Sequence, residues 1–256
     1  MDLSNYTKKN EKNSQNVKLK VECVLQPMNL HNEPEFAELL RQRKICGWDM
    51  EPSSLNNWMN DQDDGLRSNF WITTNPLDPP NTKVEASSQK LTTTTSTAPL
   101  LDSNTESTNS EDEKKNYIRV GHIALSRTGH PLEVDLANPD GTLCKIASLF
   151  ILPTYRSLGL ASRAMDILES WARVPPYGTL NCKAIAVDTL DRRYFEDDRE
   201  EWRGWWKTQG EEPPQRGTSN EDWYIRRGYV KFKGAPKYPV GDGVMLWASS
   251  LRKELV

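Results

Sequence analysis

The stretch KIASLFILPTYRSLGLASRAMDILESWAR, residues 145–173, decides how the chain is read. Ile146 to Leu152 is an almost unbroken apolar run, short enough for a buried strand or for a piece of buried helix. Pro153 stops the run and selects the strand. Further on, Leu160, Ala161, Ala164, Met165, Ile167, Leu168 and Trp171 recur at helical spacing. Between the two lies Arg156-Ser-Leu-Gly159-Leu-Ala161, a tight turn into the helix.

A strand, a small-residue turn and a helix N-terminus suit an anion. The first N–H groups of a helix have no intrahelical partner, and the helix dipole adds partial positive charge there. Gly159 and Ala161 let a bulky anion approach the backbone, and Arg156 adds a planar fork of donors. The same order also describes a plain strand–turn–helix connection with an ordinary arginine, and spacing alone does not separate the two.

A second stretch, Trp223-Tyr224-Ile-Arg-Arg-Gly228-Tyr229, gives the turn its context. Arg156 to Ala161 resembles motif A of the GNAT superfamily of N-acetyltransferases, written Q/R-x-x-G-x-G/A. The second stretch resembles motif B of the same superfamily, [FL]-Y-x-x-x-G-[FY], with Tyr224 four residues before Gly228. The order of elements also fits, from Val17 to Leu251 with two insertions, and in character the chain resembles a fungal-type member.

The resemblance implies an α/β (α+β) fold: one domain over residues 17–251, built on a mixed, twisted sheet of about six or seven strands with helices on both faces. It implies an acetyl-CoA-dependent N-acetyltransferase, with acetyl-CoA as co-substrate and an amine-bearing acceptor as partner, working by direct attack of a primary amine on the thioester. The strand of motif A is splayed from the next strand in this family, which places the backbone of Leu149, Phe150, Ile151 and Leu152 along pantetheine. An N–H there would polarise the thioester carbonyl. The amides of Ser157, Leu158, Gly159, Leu160, Ala161 and Ser162, with Arg156, would take the pyrophosphate, and Asp188 or Thr189 is a weaker cofactor candidate. Tyr224 is the candidate general acid for the departing sulfur; a tyrosine packed beside Trp223 and Tyr229 is the plainer alternative.

No general base is assigned. The histone-acetylating branch opens its motif A strand with a glutamate, and that position is Lys145 here. Glu133, Asp135, Asp188 and Glu221 are the nearby carboxylates. The missing glutamate keeps a catalytically silent acyl-CoA-binding or protein-interaction domain as the alternative to an enzyme. Acceptor identity, acyl-chain length and oligomeric state are not readable.

The chain has 256 residues with an apolar fraction of 36%, a charged fraction of 27% and a net charge of −3. That balance describes a globular core with extra polar segments and gives no case for nucleic-acid binding. Cys23, Cys46, Cys144 and Cys182 form no C-x-x-C pair, and with His31, His122 and His130 they show no metal-ligand spacing. The N-terminus lacks the apolar segment of a secretory signal, and no run reaches transmembrane length, so the expected location is the cytoplasm, or the nucleus, without membrane contact.

In chain order, residues 1–16 read as a frayed tail and Val17–Leu25 as a half-buried strand with period-two alternation. Glu35–Gly47 and Ser53–Asn60 read as helices, and Ser68–Thr74 as a strand. Residues of about 80–115, rich in Ser and Thr, read as a disordered insert. Tyr117–Ser126 and Leu180–Leu190 read as strands, and Gly129–Gly141 as a hairpin connection. The charged insert at 191–217 suggests a helix over about Arg192–Lys207. Its Trp202, Trp205 and Trp206 would line the acceptor cleft, and the carboxylates of the acidic cluster Glu196, Asp197, Asp198, Glu200 and Glu201 would attract a cationic amine. A helix packing its aromatic face on the core is the alternative. Thr218-Ser-Asn-Glu221 reads as a capping box, Gly228 as a helix stop, and Tyr229–Lys233 and Val244–Ser250 as the last strands.

Overall fold

The structure, a computed structural model, describes residues 21–75, 117–240 and 243–255. The expected tail at 1–16 and the insert at about 80–115 lie outside the described residues.

Among the described residues seven strands form one mixed sheet: β1 (Val24–Pro27), β2 (Arg67–Thr74), β3 (Ile118–Ser126), β4 (Leu143–Ile151), β5 (Ala184–Leu190), β6 (Val230–Pro239) and β7 (Met245–Glu254). Their order is β1-β2-β3-β4-β5-β7-β6. Only β4 and β5 run parallel; the other neighbours are antiparallel. A parallel pair needs a long crossover, and α3 (Leu160–Trp171) supplies it.

Helices cover both faces, as β2 shows. Phe70 and Ile72 join the core formed with Leu160, Met165 and Leu168 of α3 and with Tyr224 of α6 (Asn220–Arg226). Trp71, pointing the other way, packs with Leu39 of α1 (Glu33–Cys46) and with Leu55 and Trp58 of α2 (Pro52–Asp63). Each large apolar side chain buried this way contributes about 1.5–3 kcal/mol. The boundaries of α1 follow local chemistry. Asn32 caps it by accepting from the Glu35 amide at 3.1 Å, Pro34 sits in the first turn, and Gly47 ends it at φ 83°.

Four expectations need correction. Of the expected strand Val17–Leu25, residues 17–20 lie outside the described residues and 21–23 are not strand: β1 is Val24–Pro27, because its partner β2 ends at Thr74 and Val24 already pairs with Thr73. The helix expected over Arg192–Lys207 is two four-residue pieces, α4 (Arg193–Glu196) and α5 (Trp205–Thr208). The break falls at Asp197, whose side chain accepts from the Arg199 amide at 3.1 Å and whose own backbone is extended. The cap of α6 is Ser219, one residue later than expected: its Oγ accepts from the Asp222 amide at 3.1 Å. The last two strands are also longer than Tyr229–Lys233 and Val244–Ser250. Most of β6 is exposed, so it has no apolar alternation to read, and ladder irregularities at Lys231/Lys233 and Pro236/Tyr238 let it pass a proline.

Candidate active site

The parallel pairing of β4 and β5 lasts three pairs: Leu143 with Ala184, Cys144 with Ile185 and Lys145 with Ala186. Beyond them both strands continue, β4 held by β3 and β5 by β7, but not by each other. The sheet is therefore split at its centre. A bulge accompanies the split: between the pairs His122–Phe150 and Ala124–Ala147, the single residue Ile123 faces both Ser148 and Leu149. Ser148 has φ 56° and accepts a hydrogen bond from Arg67 Nη2 at 2.9 Å. Gly121 lies beside it, so close that an added Cβ would stand 2.2 Å from the Phe150 carbonyl oxygen.

At the open end of the split, β4 passes through a 3₁₀ turn (Pro153–Tyr155) into α3. Ser157 (φ 65°) and Gly159 (φ 76°) turn the chain. The first helical bond is Arg163 N–H to the Gly159 carbonyl at 3.2 Å. Among the described residues the amides of Ser157 to Ser162 have no acceptor, so six donors stand free. A Cβ on Gly159 would meet nothing within 4 Å; the glycine serves the positive φ, and the space beyond it is open. Arg156 folds back, its Nε donating to the Ile151 carbonyl at 3.2 Å and its guanidinium 5.8 Å from the centre of the Phe150 ring.

Tyr224 projects from α6, buried, with Trp223 and Tyr229 rings at 4.9 and 5.5 Å. Burial and, after it, the Asp188 carboxylate push its pKa above the ordinary tyrosine value, so the phenol keeps its proton. Among the described residues its hydroxyl has no hydrogen-bond partner.

Residues 102–193 match the sequence model of the acetyltransferase (GNAT) family. The match includes β3, β4, the turn, α3 and β5. Among solved structures the chain is similar to Arabidopsis thaliana NAA60 in complex with acetyl-CoA, at 12% identity over 91% of this chain and 99% of that chain, with a TM-score of 0.49. It is also similar to the spermidine/spermine N-acetyltransferase SpeG from Vibrio cholerae, at 10% identity, 91% and 92% coverage and a TM-score of 0.46. A third is aminoglycoside 6′-N-acetyltransferase complexed with coenzyme A, at 12% identity, 91% and 97% coverage and a TM-score of 0.47. No curated protein matches the chain by sequence.

The split places the expected residues unevenly. Leu149, Phe150 and Ile151 border it, but the Leu152 amide is spent on the Val120 carbonyl at 2.8 Å. On the α1/α2 face, the closed end of the split is pinned by charge. Asp188 of β5 takes Lys145 Nζ at 2.8 Å and Lys237 Nζ at 2.5 Å, and the Tyr238 phenol also donates to it. Burial raises the pKa of Asp188, but Lys145 and then Lys237 outweigh it and hold it at about 2. A carboxylate so stabilised is a poor base.

The remaining candidate bases are also engaged. Glu133 is bound by Lys237, and Asp135 by Lys233 at 2.8 Å. Glu221 is 2% exposed and takes the Arg192 amide at 2.9 Å, Ser249 Oγ at 2.6 Å and Lys231 Nζ at 3.2 Å. Thr189 lies buried in β5 opposite Ser249.

The structure also brings forward a residue that the sequence reading passed over. His122, 1% exposed, lies between Gln42 Oε1 at 3.0 Å from Nδ1 and Arg43 Nη1 at 3.3 Å from Nε2. An arginine only donates, which assigns the proton to Nδ1. Burial, then Arg43 and Arg67, push its pKa well below the ordinary value, so the ring is neutral with both nitrogens committed. The one sequence signal was a histidine in the middle of an apolar strand.

Residues of the Trp-rich insert pack on one another and on β7. Trp202 is buried with Tyr194 and Leu246, its ring 3.9 Å under the Arg193 guanidinium, and Trp206 Nε1 donates to the Tyr194 carbonyl at 2.7 Å. Glu196, Asp198 and Glu201 of the acidic cluster pair with Arg216, Arg203 and Arg199. Among the described residues no group of three His, Cys, Asp or Glu side chains could hold a metal, and no helix is long and apolar enough to cross a membrane.

Proposed function

We propose that this chain is an acetyl-CoA-dependent N-acetyltransferase that moves an acetyl group to a primary amine by direct attack on the thioester. The observation that carries the reading is the β4–β5 split opening beside six unpaired amides. Acetyl-CoA supplies the acetyl group as a thioester. The backbone of Leu149 to Ile151 is available to hold the pantetheine arm, and the amides of Ser157 to Ser162 fit a pyrophosphate. Amides at the bulge would favour negative charge developing on a carbonyl oxygen. Tyr224, protonated and without an internal acceptor, would give its proton to the departing sulfur. With Glu133, Asp135, Asp188 and Glu221 all engaged, the amine would enter neutral or lose its proton to water.

That engagement also favours a second reading, an acyl-CoA-binding module without catalysis. One experiment separates them: calorimetric titration with acetyl-CoA, using Gly159→Glu as control, followed by an amine screen. A Cβ at Gly159 meets no neighbouring atom, but at φ 76° a glutamate would strain the turn as well as repel the pyrophosphate. Binding lost in the variant, with turnover of some amine, is the expected result. Binding without turnover of any amine would favour the silent module, and no binding by the natural protein would remove both.

A further inference from the structure

On the α1/α2 face of the sheet, Arg67 has no ion-pair partner among the described residues. Arg67, at the start of β2, is 7% exposed. Its Nε donates to Asn69 Oδ1 at 2.7 Å, its Nη2 to Ser148 Oγ at 2.9 Å, and its guanidinium stands 4.2 Å from the centre of the Trp58 ring. The carboxylates near enough to act on it, Asp61 and Asp49, are bonded elsewhere, to His130 Nε2 and Arg43 Nη2, each at 3.0 Å. Among the described residues Arg67 Nη1 has no partner, yet it is not sealed from solvent. Arg43, 3% exposed, brings a second guanidinium to the same ring at 5.3 Å, and its buried Nε is unpartnered.

Burying a guanidinium with only neutral partners is costly, and an arriving anion would relieve that cost. Ser148, which Arg67 holds, is the bulge residue at the split, so the free end of Arg67 lies beside the place where an acceptor must present its amine. The lysines of this face are already spent on Asp188. A guanidinium with an open edge fits a carboxylate best.

The rim above is apolar. Ile45 (46% exposed) in the last turn of α1, with Trp48 (39%) and Met50 (43%) just after it, and Val240 (39%), Val244 (49%) and Met245 (43%) around the β6–β7 turn form it. The Trp48 and Tyr238 rings, 5.1 Å apart, bring the two segments together. We propose that the acceptor is a free amino acid with an apolar side chain, its carboxylate held by Arg67 and its side chain by this rim. The inference rests on the acetyl-transfer reading above and names the substrate class for that site.

The test uses three matched pairs: leucine and 3-methylbutylamine, methionine and 3-(methylthio)propylamine, phenylalanine and 2-phenylethylamine. Acetylation is measured with the natural protein, Arg67→Lys and Arg67→Gln, beside calorimetric acetyl-CoA binding for each. The expected result is a kcat/KM about tenfold or more higher for at least one amino acid than for its amine. That ratio should fall to about one in Arg67→Gln and recover in part in Arg67→Lys. A protein that binds acetyl-CoA but prefers the amines, or acetylates neither member of any pair, overturns the substrate class and leaves acetyl transfer standing. An equal loss with both members of a pair overturns it too, by placing Arg67 on the acetyl group. Absence of acetyl-CoA binding by the natural protein removes acetyl transfer itself. Should Arg67→Gln fail to fold, titration of the natural protein with N-acetyl-leucine and with N-(3-methylbutyl)acetamide decides: only the carboxylate-bearing compound should bind, and equal binding overturns the proposal.

Discussion

Asp188→Asn isolates the charge pin at the closed end of the split. The Asp188 side chain is 9% exposed between Lys145 and Lys237, and its pKa falls from the ordinary 3.8 to about 2. A carboxylate whose pKa is depressed on folding contributes stability above its unfolded pKa and loses it as pH falls toward the folded value. The difference of 3.8 − 2, about 1.8 pH units at about 1.4 kcal/mol each, is about 2–2.5 kcal/mol at pH 7. Asparagine keeps the shape and removes the charge. Both lysines are partly exposed, at 17% and 23%, so they turn to water rather than stay buried alone, and Lys237 keeps Glu133. The cost should therefore stay at about 2–2.5 kcal/mol, below the 3–5 kcal/mol of a fully buried broken pair. Urea unfolding of both proteins at several pH values reads it out: a gap of about 2–2.5 kcal/mol at pH 7 that narrows below about pH 4 and closes near pH 2. The neighbouring Asp191, also held below the usual range, titrates in both proteins and cancels. A gap that stays constant from pH 7 to pH 2, or a variant more stable at neutral pH, would refute the reasoning.

Three further outcomes are expected. Tyr224→Phe should leave stability nearly unchanged, because the hydroxyl has no internal partner among the described residues, and should lower kcat by about 10²-fold or more with acetyl-CoA binding retained; unchanged kcat in steady-state assays removes the residue from proton transfer. Gly121→Ala should cost about 3 kcal/mol or more in denaturant unfolding, because its Cβ would stand 2.2 Å from the backbone oxygen of Phe150, which no rotamer change relieves; a cost below about 1 kcal/mol would mean that β3 and β4 separate easily at the bulge. Trp202→Ala should destabilise by about 3–5 kcal/mol, the range for a buried aromatic; a variant of natural stability with altered acceptor KM would return the insert to the cleft.

The parts of the fold legible in the sequence were those written in local chemistry. The run from Ile146 to Leu152, stopped by Pro153 and followed by helical spacing, gave β4 and α3 because one strand and one helix face bury continuous apolar stripes. Asn32, Pro34 and Gly47 bounded α1 for the same reason. Local chemistry also misled where two residues compete for one role. Thr218 and Ser219 are both good caps, and the choice fell to Ser219 because Thr218 Oγ1 donates back to the Gln215 carbonyl. Glu221, expected to close the capping box, is drawn instead into a buried cluster with Ser249 and Lys231 from the two closing strands. No window of sequence around residue 221 contains those partners.

The site divides along the same line. The unpaired amides of motif A were legible because a turn and a helix start are local events. The state of each carboxylate was not, since Glu133, Asp135 and Asp188 meet lysines about 40–100 residues away. Arg67 and His122 were illegible for a related reason: the counter-charges are assigned only once α1 and α2 close over the sheet.

Lys145 stands where the histone-acetylating resemblance would place a glutamate. It is the last residue of β4 still paired to β5, and its ammonium crosses to Asp188, two residues beyond its paired neighbour Ala186. Two strands driven apart by a bulge need something to stop the separation from running to their shared start. An ion pair across the gap does that without occupying the open end, where the amides of Ser157 to Ser162 stand unpaired. A glutamate at 145 would set a second carboxylate against Asp188 and push the strands apart at the point where they must hold. The lysine therefore closes the split at one end and leaves the other end to bind.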